Sequence, residues 1–293
     1  MNHPRSGCAA PPQGGAAGGP AKPDPRRPLG KRLRHAPAVD PVLLSRIEDA
    51  GLNASAPPQQ RWLDGWLIRF SPGKAKRARC VNAVAAGQLP LDAKLALAAA
   101  VFTEAQLPMV LRITPFSVPR DLDSQLASRG WPRIDDTRVM VLAALDALAD
   151  EPLPAGLAWQ SLGHSAFARA VGQLRGSALS QSQAHAQRLE LSPVPFRALA
   201  IRREADGALL ACGQSAREAD LVGLYDIFTA QAARGQGLAR RLCARLLARA
   251  RSEGARSAYL QVEGDNHAAR AVYQRLGFAD GYAYHYRTQP GSD

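Results

Sequence analysis

Apolar positions along the chain follow two patterns, and each pattern predicts a different kind of element. Positions that recur three or four residues apart predict helices, whereas short runs of β-branched and aromatic residues predict strands. Helices are predicted at residues 41–50, 91–104, 120–128, 166–175, 181–189, 235–251 and 266–276. Strands are predicted at residues 62–70 (a pair of strands with a glycine-containing bend), 76–84, 109–114, 139–145, 196–203, 209–216, 221–229, 257–262 and 278–287. Helices and strands interleaved in this way predict an α/β protein.

Two segments lack this periodicity and divide the chain. Residues 1–38 contain eight Pro, six Gly and seven Ala, and such a stretch buries too little apolar surface to offset the entropy of ordering it. Residues 151–156 are also rich in Pro and Gly and predict a linker. We therefore expect a disordered basic tail at residues 1–38, a first domain at 39–150 and a second domain at 151–293.

The two domains share a repeated ending. Gly130 and Trp131 follow a predicted helix and precede a strand, and Gly277 and Phe278 do the same 147 positions later. In each half the ending comes after strand, helix, strand and helix in the same order. This repetition predicts a tandem duplication, and two unrelated α/β domains remain the alternative.

Charge and cysteine content narrow the range of partners. The chain carries 37 basic and 25 acidic residues, and the excess is divided between residues 1–38 and residues 231–257 rather than spread over the face of a nucleic-acid-binding module. The longest apolar run, residues 95–102, is far shorter than the roughly 20 residues of a membrane helix. Four widely spaced cysteines match no zinc motif and favour a reducing, cytoplasmic setting. We expect no metal and no membrane partner, and binding of nucleic acid through the Arg-rich helix and the tail is a less favoured alternative.

A glycine-containing loop between the strand at 221–229 and the next helix carries the clearest chemical signal. The first N–H groups of a helix lack internal partners and lie at its positive end, so they attract anions. Gly235 and Gly237 allow a phosphate to approach the backbone, and Arg234 adds a charged donor. The loop contains neither the Gly-Lys-Ser/Thr of a P-loop nor the G-x-G-x-x-G spacing of a dinucleotide site. It predicts a cradle for a diphosphate, with a glycine-rich helix start that binds nothing as the alternative.

Two motifs in this half resemble a known family. The order Arg-x-x-Gly-x-Ala at residues 234–239 is similar to the acetyl-CoA pyrophosphate loop of the GNAT superfamily of N-acetyltransferases. The frame N-x-x-A-x-x-x-Y-x-x-x-G-F at residues 266–278 is similar to the end of a GNAT domain. The resemblance implies a mixed, mostly antiparallel central sheet with a parallel V-shaped splay, flanked by helices.

The same resemblance assigns different roles to the two halves. It implies that residues 151–293 form the catalytic GNAT domain and that residues 39–150 form a degenerate copy. The first half has no equivalent loop before its helix at 91–104, and Leu126 and Pro119 stand where the second half has Tyr273 and Asn266. We expect the first half to pack against the second or to form one wall of the acceptor cleft.

The resemblance also implies a reaction, in which an acetyl group moves directly from the co-substrate acetyl-CoA to an amine in a ternary complex. The implied diphosphate contacts are Arg234, Gly235, Gln236, Gly237, Leu238 and Ala239, and the implied pantetheine contacts are the backbone near Ile227, Phe228 and Thr229. Tyr273 is the implied general acid for the leaving thiolate. Asn266 is implied to contact the cofactor, although Asn is also a favoured helix N-cap.

The general base and the acceptor stay open. Gln261 stands where some family members have Glu, and an amide is no useful proton acceptor. Asp226, on a strand that otherwise reads as buried, and Glu263, just past the next strand, are the candidate bases, and a base acting through water is equally open. The acceptor amine can belong to a small molecule or a protein. A CoA-binding sensor or scaffold without catalysis is the alternative function, and the sequence predicts no oligomeric state.

Overall fold

The computed structural model describes residues 39–71, 75–146 and 151–291. The predicted tail at 1–38 lies outside these residues. The helices of the described chain are α1 (Pro41–Ala54), α2 (Leu91–Glu104), α3 (Leu122–Ser128), α4 (His164–Arg175), α5 (Leu179–Glu190), α6 (Leu238–Ser252) and α7 (His267–Arg275). The strands are β1 (Gln60–Leu63), β2 (Trp66–Arg69), β3 (Val81–Ala83), β4 (Val110–Ile113), β5 (Arg133–Leu142), β6 (Leu157–Leu162), β7 (Phe196–Arg203), β8 (Leu209–Glu218), β9 (Leu221–Thr229), β10 (Ser257–Glu263) and β11 (Ala279–Thr288).

These strands form one sheet in the order β1-β2-β3-β4-β11-β5-β10-β9-β8-β7-β6. The neighbours β3 and β4 are parallel, as are β9 and β10, and every other neighbouring pair in the described sheet is antiparallel. The expected mixed, mostly antiparallel sheet with flanking helices is therefore confirmed.

The two halves repeat one arrangement and exchange their last strands. Helix α2 joins the parallel pair β3–β4, and α6 joins the parallel pair β9–β10. In both halves a further helix then leads to a final strand, β5 or β11. However, β5 pairs with β10 of the second half, and β11 pairs with both β4 and β5 of the first. The described residues from Val39 onward group in one unit, and the division near residue 150 stays a prediction.

Three predicted elements differ from the observed ones. The predicted strand at 76–84 begins as a 3-10 turn over Lys76–Ala78, and only Val81–Ala83 forms a strand, because the N–H groups of Ala78 and Arg79 donate within the turn instead of to a neighbouring strand. Strand β5 begins at Arg133, six residues before the predicted start, because its polar first half pairs along β11 and β10. Strand β6 was not predicted, since its pattern of partly exposed residues at the sheet edge carries little hydrophobic signal.

Each face of the second half's sheet carries its own core, since alternate strand residues point to opposite faces. On one face, Leu199, Ile201 and Leu224 belong to the cluster that contains the leucines of α6. On the other face, Phe196 belongs to the cluster that contains Phe167 of α4 and residues of α1. Helix α1 of the first half thus covers the sheet of the second, on the face opposite α6.

Candidate active site

The loop between β9 and α6 presents backbone N–H groups without partners. Gly235 and Gly237 have φ of 78° and 74°, in the left-handed region that glycine adopts without strain. Within the described part of the chain, none of the backbone N–H groups from residue 235 to residue 240 donates to another residue. These donors lie at the start of a 15-residue helix, where the helix dipole adds partial positive charge. The arrangement is an anion site.

The same loop is open to solvent, so a diphosphate fits the residues present. Arg234, Gly235 and Gln236 are exposed, and a Cβ atom added at Gly235 would meet nothing within 4 Å. Arg240 and Arg241, in the first turn of α6, both pair with Glu151. Glu151 thus holds two guanidinium groups next to the loop, and Nη1 of Arg241 donates to the Gln236 carbonyl over 3.3 Å.

A gap opens between β9 and β10 beyond the end of their pairing. The parallel register runs from Leu221 with Ser257 to Leu224 with Leu260 and stops there. Both strands continue, β9 to Thr229 and β10 to Glu263, and from this point β9 is paired only with β8. The backbone of residues 225–229 therefore has one edge free toward the gap, as a V-shaped splay requires.

A β-bulge turns the side chain of Asp226 to the face opposite α6. Gln214 pairs with Tyr225, and Cys212 pairs with Phe228, so Asp226 and Ile227 together oppose Gly213. Asp226 has a φ of 51°, which is unusual for a residue other than glycine and marks a strained position. A bulge re-aims side chains, and here Tyr225 and Asp226 line the same cavity although they are consecutive.

Ion pairs surround the Asp226 carboxylate. Nη2 of Arg175 lies 2.7 Å from its Oδ1, the side-chain amide of Gln214 donates to its Oδ2 over 2.8 Å, and Nε2 of His185 approaches that oxygen at 3.4 Å. Burial alone would raise the pKa of Asp226, but the approach of His185 and the charge of Arg175 lower it well below its usual range. The carboxylate is therefore held ionised and is a weak proton acceptor.

Tyr273 and Asn266 lie on α7, next to the core that α6 forms. The Tyr273 ring is buried, with its edge against the ring of Phe278 at 6.2 Å between centroids. Its hydroxyl has no hydrogen-bond partner in the described residues, and burial, with a smaller effect of Cys243, raises its pKa, so it carries a proton at neutral pH. Asn266 is the N-cap of α7, and its side chain accepts from the Ala269 N–H over 3.1 Å.

The two remaining predicted positions lie on β10. Gln261 has a structural partner, because its Oε1 accepts a hydrogen bond from the Tyr284 hydroxyl over 2.8 Å and another from Arg77. Glu263 is the exposed last residue of the strand, and its carboxylate contacts no other side chain of the described chain. The structure thus gives Glu263 access to water and gives Gln261 a role in joining the halves.

A cavity of about 480 Å³ lies where the two halves meet, beside the bulge. We call it the α4–α5 cavity, because α4 and α5 form one wall and residues 54–59 and 75–78 of the first half form part of the other. Its ionisable lining residues are Arg77, Arg175, His185, Arg188, Tyr225 and Asp226. Its volume lies within the range of small-molecule sites.

Sequence reasoning missed most of this cavity. Arg77 lies about 150 positions from Asp226, and His185 looked like one of several scattered histidines. None of these residues belongs to a motif with fixed spacing. The nearest sequence signal was an acid on a buried strand, which requires a partner but does not identify it.

The described residues lack two further kinds of feature, a metal site and a membrane-spanning helix. They contain no group of three or more His, Cys, Asp or Glu side chains able to hold a metal ion. None of their helices has both the length and the apolar character needed to cross a membrane.

Comparisons with known proteins agree with this geometry. Residues 171–278 match the model of the Acetyltransferase (GNAT) family. Over 233 residues the chain is 25% identical to YobR, an uncharacterized N-acetyltransferase of Bacillus subtilis strain 168, with 78% of this chain and 91% of YobR covered. The similarity to the GNAT acetyltransferase family therefore falls at residues 171–278, and it supports a general role in acetyl transfer.

Solved structures show the same fold over most of the chain. A GCN5-related N-acetyltransferase from Kribbella flavida has a TM-score of 0.62 at 18% identity, with 87% of this chain and 97% of that chain covered. A tandem GNAT protein from the clavulanic acid biosynthesis pathway has a TM-score of 0.57 at 18% identity, with 68% and 69% covered. Proteins of this fold therefore include tandem arrangements.

Proposed function

We propose that this protein is an acetyl-CoA-dependent N-acetyltransferase that moves the acetyl group directly to an amine in a ternary complex. The observation that carries the proposal is the row of unpartnered N–H groups at residues 235–240 beside the gap between β9 and β10. The GNAT match covers both features.

The loop residues have a binding role in this proposal. The N–H groups of residues 235–240 bind the diphosphate, and the exposed Arg234 adds charge. Backbone amides near Ile227, Phe228 and Thr229 bind along the free edge of β9, and one of them stabilises the oxyanion that forms during transfer. Asn266 combines its observed capping bond with a contact to the co-substrate. Acetyl-CoA supplies an acyl group activated on sulfur.

Tyr273 donates a proton in this proposal, and a carboxylate or an imidazole accepts one. The Tyr273 hydroxyl, protonated and without a protein partner, donates to the leaving thiolate. Glu263 and Asp226 remain the candidate bases. Glu263 is the better candidate because it is exposed to solvent, so a water molecule can relay a proton to it. The low pKa of Asp226 suits it better to holding Arg175 and His185 in place. We add His185 as a third candidate, since an imidazole beside a carboxylate is a common general base.

The first half takes a structural role in the proposal. Residues 39–150 form a degenerate GNAT-like domain, and residues 151–293 form the catalytic one. Arg77 and Ala78 of the first half line the α4–α5 cavity, which we assign to the acceptor. A cytoplasmic location follows from the cysteine pattern alone and stays a prediction.

Calorimetry and a thiol-release assay test the proposal together. Gly237→Glu places a carboxylate at the loop and should abolish acetyl-CoA binding. Gly254→Glu is the matched control, because Gly254 also has a positive φ (104°) but follows the C-terminal end of α6. Unchanged affinity in Gly237→Glu would refute the loop assignment. Tight binding of CoA by the native chain with no thiol release from any amine would instead favour a sensor or scaffold.

A further inference from the structure

The α4–α5 cavity carries an excess of positive charge. It is lined by the guanidinium groups of Arg77, Arg175 and Arg188 but by one carboxylate, that of Asp226. Arg175 lies 2.7 Å from that carboxylate and compensates it. Two guanidinium groups, those of Arg77 and Arg188, are therefore left without an anionic partner in direct contact.

Neither of these two arginines finds an anion elsewhere in the described residues. Arg77 donates to the neutral side-chain oxygen of Gln261. Arg188, on α5, makes neither a hydrogen bond nor a close ion pair with any described residue, and the Asp226 carboxylate attracts it only from a longer distance. Burial lowers the pKa of the Arg188 guanidinium, which shows how poorly its charge is solvated where it stands. A partly buried charge without a contacting partner is also costly, so native proteins seldom keep one without a use.

This charge pattern excludes a simple cationic acceptor as the natural occupant. An alkylamine or polyamine enters as an ammonium ion, and Arg77 and Arg188 would repel it. A guanidinium group presents a planar fork of donors that matches a carboxylate in two parallel hydrogen bonds. The Asp226 carboxylate carries one negative charge at the bulge. The bulge lies beside the gap between β9 and β10, through which the acetyl group passes in the proposed reaction.

We infer that the acceptor is an amino-carboxylic acid, whose carboxylate binds Arg188 and Arg77 while its amine faces Asp226 and the gap. The inference rests on the proposed function, which it extends from an unspecified amine to a zwitterionic small molecule. A cavity of about 480 Å³ accommodates a free amino acid or a molecule of similar size. A phosphate-bearing amine offers the same oxyanion chemistry, and the experiment below separates the two sources.

Matched acceptors test the inference. Thiol release from acetyl-CoA is measured with a panel of amino acids, with their carboxamides and with the corresponding decarboxylated amines. We expect kcat/KM to be about ten- to a hundred-fold higher for the acids, the range that a hydrogen bond to a charged group produces. The carboxamide has the less basic amine, of which a larger fraction is deprotonated at neutral pH, so a preference for the acid cannot come from the supply of free amine. O-phosphoethanolamine against ethanolamine tests the phosphate source.

Variants of Arg188 test whether the preference for amino-carboxylic acids arises in the α4–α5 cavity. Arg188→Gln should raise KM for the acid about tenfold or more and leave kcat/KM for the decarboxylated amine unchanged or higher. A merely structural effect would lower both equally. Arg188→Lys should recover part of the preference. Arg197→Gln, at an exposed position of β7 away from the cavity, is the control and should change neither.

Each of the other possible results would refute either the inference or the proposed function on which it rests. Turnover of neutral amines at rates equal to the acids, or equal losses in Arg188→Gln, would refute the inference while the proposed function stands. Acceptance of O-phosphoethanolamine without any amino acid would refute the carboxylate and support phosphate. If no amine is turned over, the proposed function fails, and calorimetry of the amino acids against native and Arg188→Gln chains still decides whether the cavity binds a carboxylate.

Discussion

The Tyr282 hydroxyl donates a hydrogen bond to Glu48 over 2.6 Å, although the two residues are 234 positions apart. The Glu48 carboxylate also accepts two hydrogen bonds from the Arg112 guanidinium, one of them over 3.0 Å from Nη2. Glu48 lies on α1, Arg112 on β4 and Tyr282 on β11, and all three are buried. This network ties the last strand of the second half to the first half, at the point where the strands are exchanged.

Removing the charge of Glu48 should destabilise the protein strongly. In Glu48→Gln, Arg112 stays buried without its anion, and breaking a buried pair in this way costs about 3–5 kcal/mol. Urea titration at neutral pH measures the loss in the free energy of unfolding. The control is Asp49→Asn on the exposed side of the same helix, which should change it by no more than about 0.5 kcal/mol. Equal effects of the two variants would contradict a role for the network.

The carboxylates of Glu48 and Asp226 should also make the protein sensitive to acid. Burial alone would raise the pKa of Glu48, but the charge and hydrogen bonds of Arg112 lower it, and the pKa of Asp226 is lowered as well. A carboxyl group with a depressed folded pKa stabilises the fold fully above its unfolded pKa, about 4, and loses this contribution as the pH falls further. Urea midpoints should therefore fall steeply below about pH 4–5.

The Asp226→Asn variant isolates the contribution of the Asp226 carboxylate to this acid sensitivity. The variant should be less stable than the native chain at pH 7, and the difference should shrink as the pH falls below about 4, because the native chain then loses the same charge. Urea midpoints of both chains at each pH measure the difference. A gap between them that stays constant over the whole range would show that the ion pairs of Asp226 do not stabilise the fold.

Local patterns predicted most of the fold because they depend on few neighbouring residues. The period of the leucines in α6 and the Asp64–Gly65 turn between β1 and β2 are examples. The exchange of β5 and β11 could not be predicted in this way. Both strands have similar apolar patterns, and pairing β11 with β4 depends on contacts across more than 150 positions that no local pattern encodes.

The candidate site likewise has one part that local sequence patterns predicted and another that they did not. The diphosphate loop is a contiguous segment whose function comes from the start of a helix, so Gly235 and Gly237 were found from the sequence. The acceptor cavity is assembled from distant segments, and Arg77 and Arg188 come together only in the folded chain. The bulge at Asp226 was missed for another reason, since it lies opposite Gly213 of the neighbouring strand, and no local pattern shows which residues of two strands face each other.

Gly213 should be needed for that bulge. A Cβ atom there would overlap Cδ1 of Ile227 and lie 3.1 Å from Cδ2 of Leu242. Gly213→Ala should therefore lower the free energy of unfolding by about 1–3 kcal/mol and lower the rate of acetyl transfer, because Asp226 and the edge of β9 shift. Adding Ile227→Val removes the overlapping methyl group and should restore part of both. Gly163→Ala, where a Cβ atom meets nothing within 4 Å, is the control.

Replacing Tyr273 should lower the rate of acetyl transfer without changing the affinity for acetyl-CoA. In Tyr273→Phe the ring still packs against Phe278, and no protein hydrogen bond is lost, so the melting temperature and the acetyl-CoA affinity should stay unchanged. The leaving thiolate would lose its proton donor, and kcat should fall by about 10²-fold or more. Stopped-flow or thiol-release rates at saturating substrate measure kcat, and calorimetry measures the affinity. A native kcat in Tyr273→Phe would transfer the acid role to water, whereas a parallel loss of affinity and rate would indicate that the hydroxyl binds the co-substrate instead.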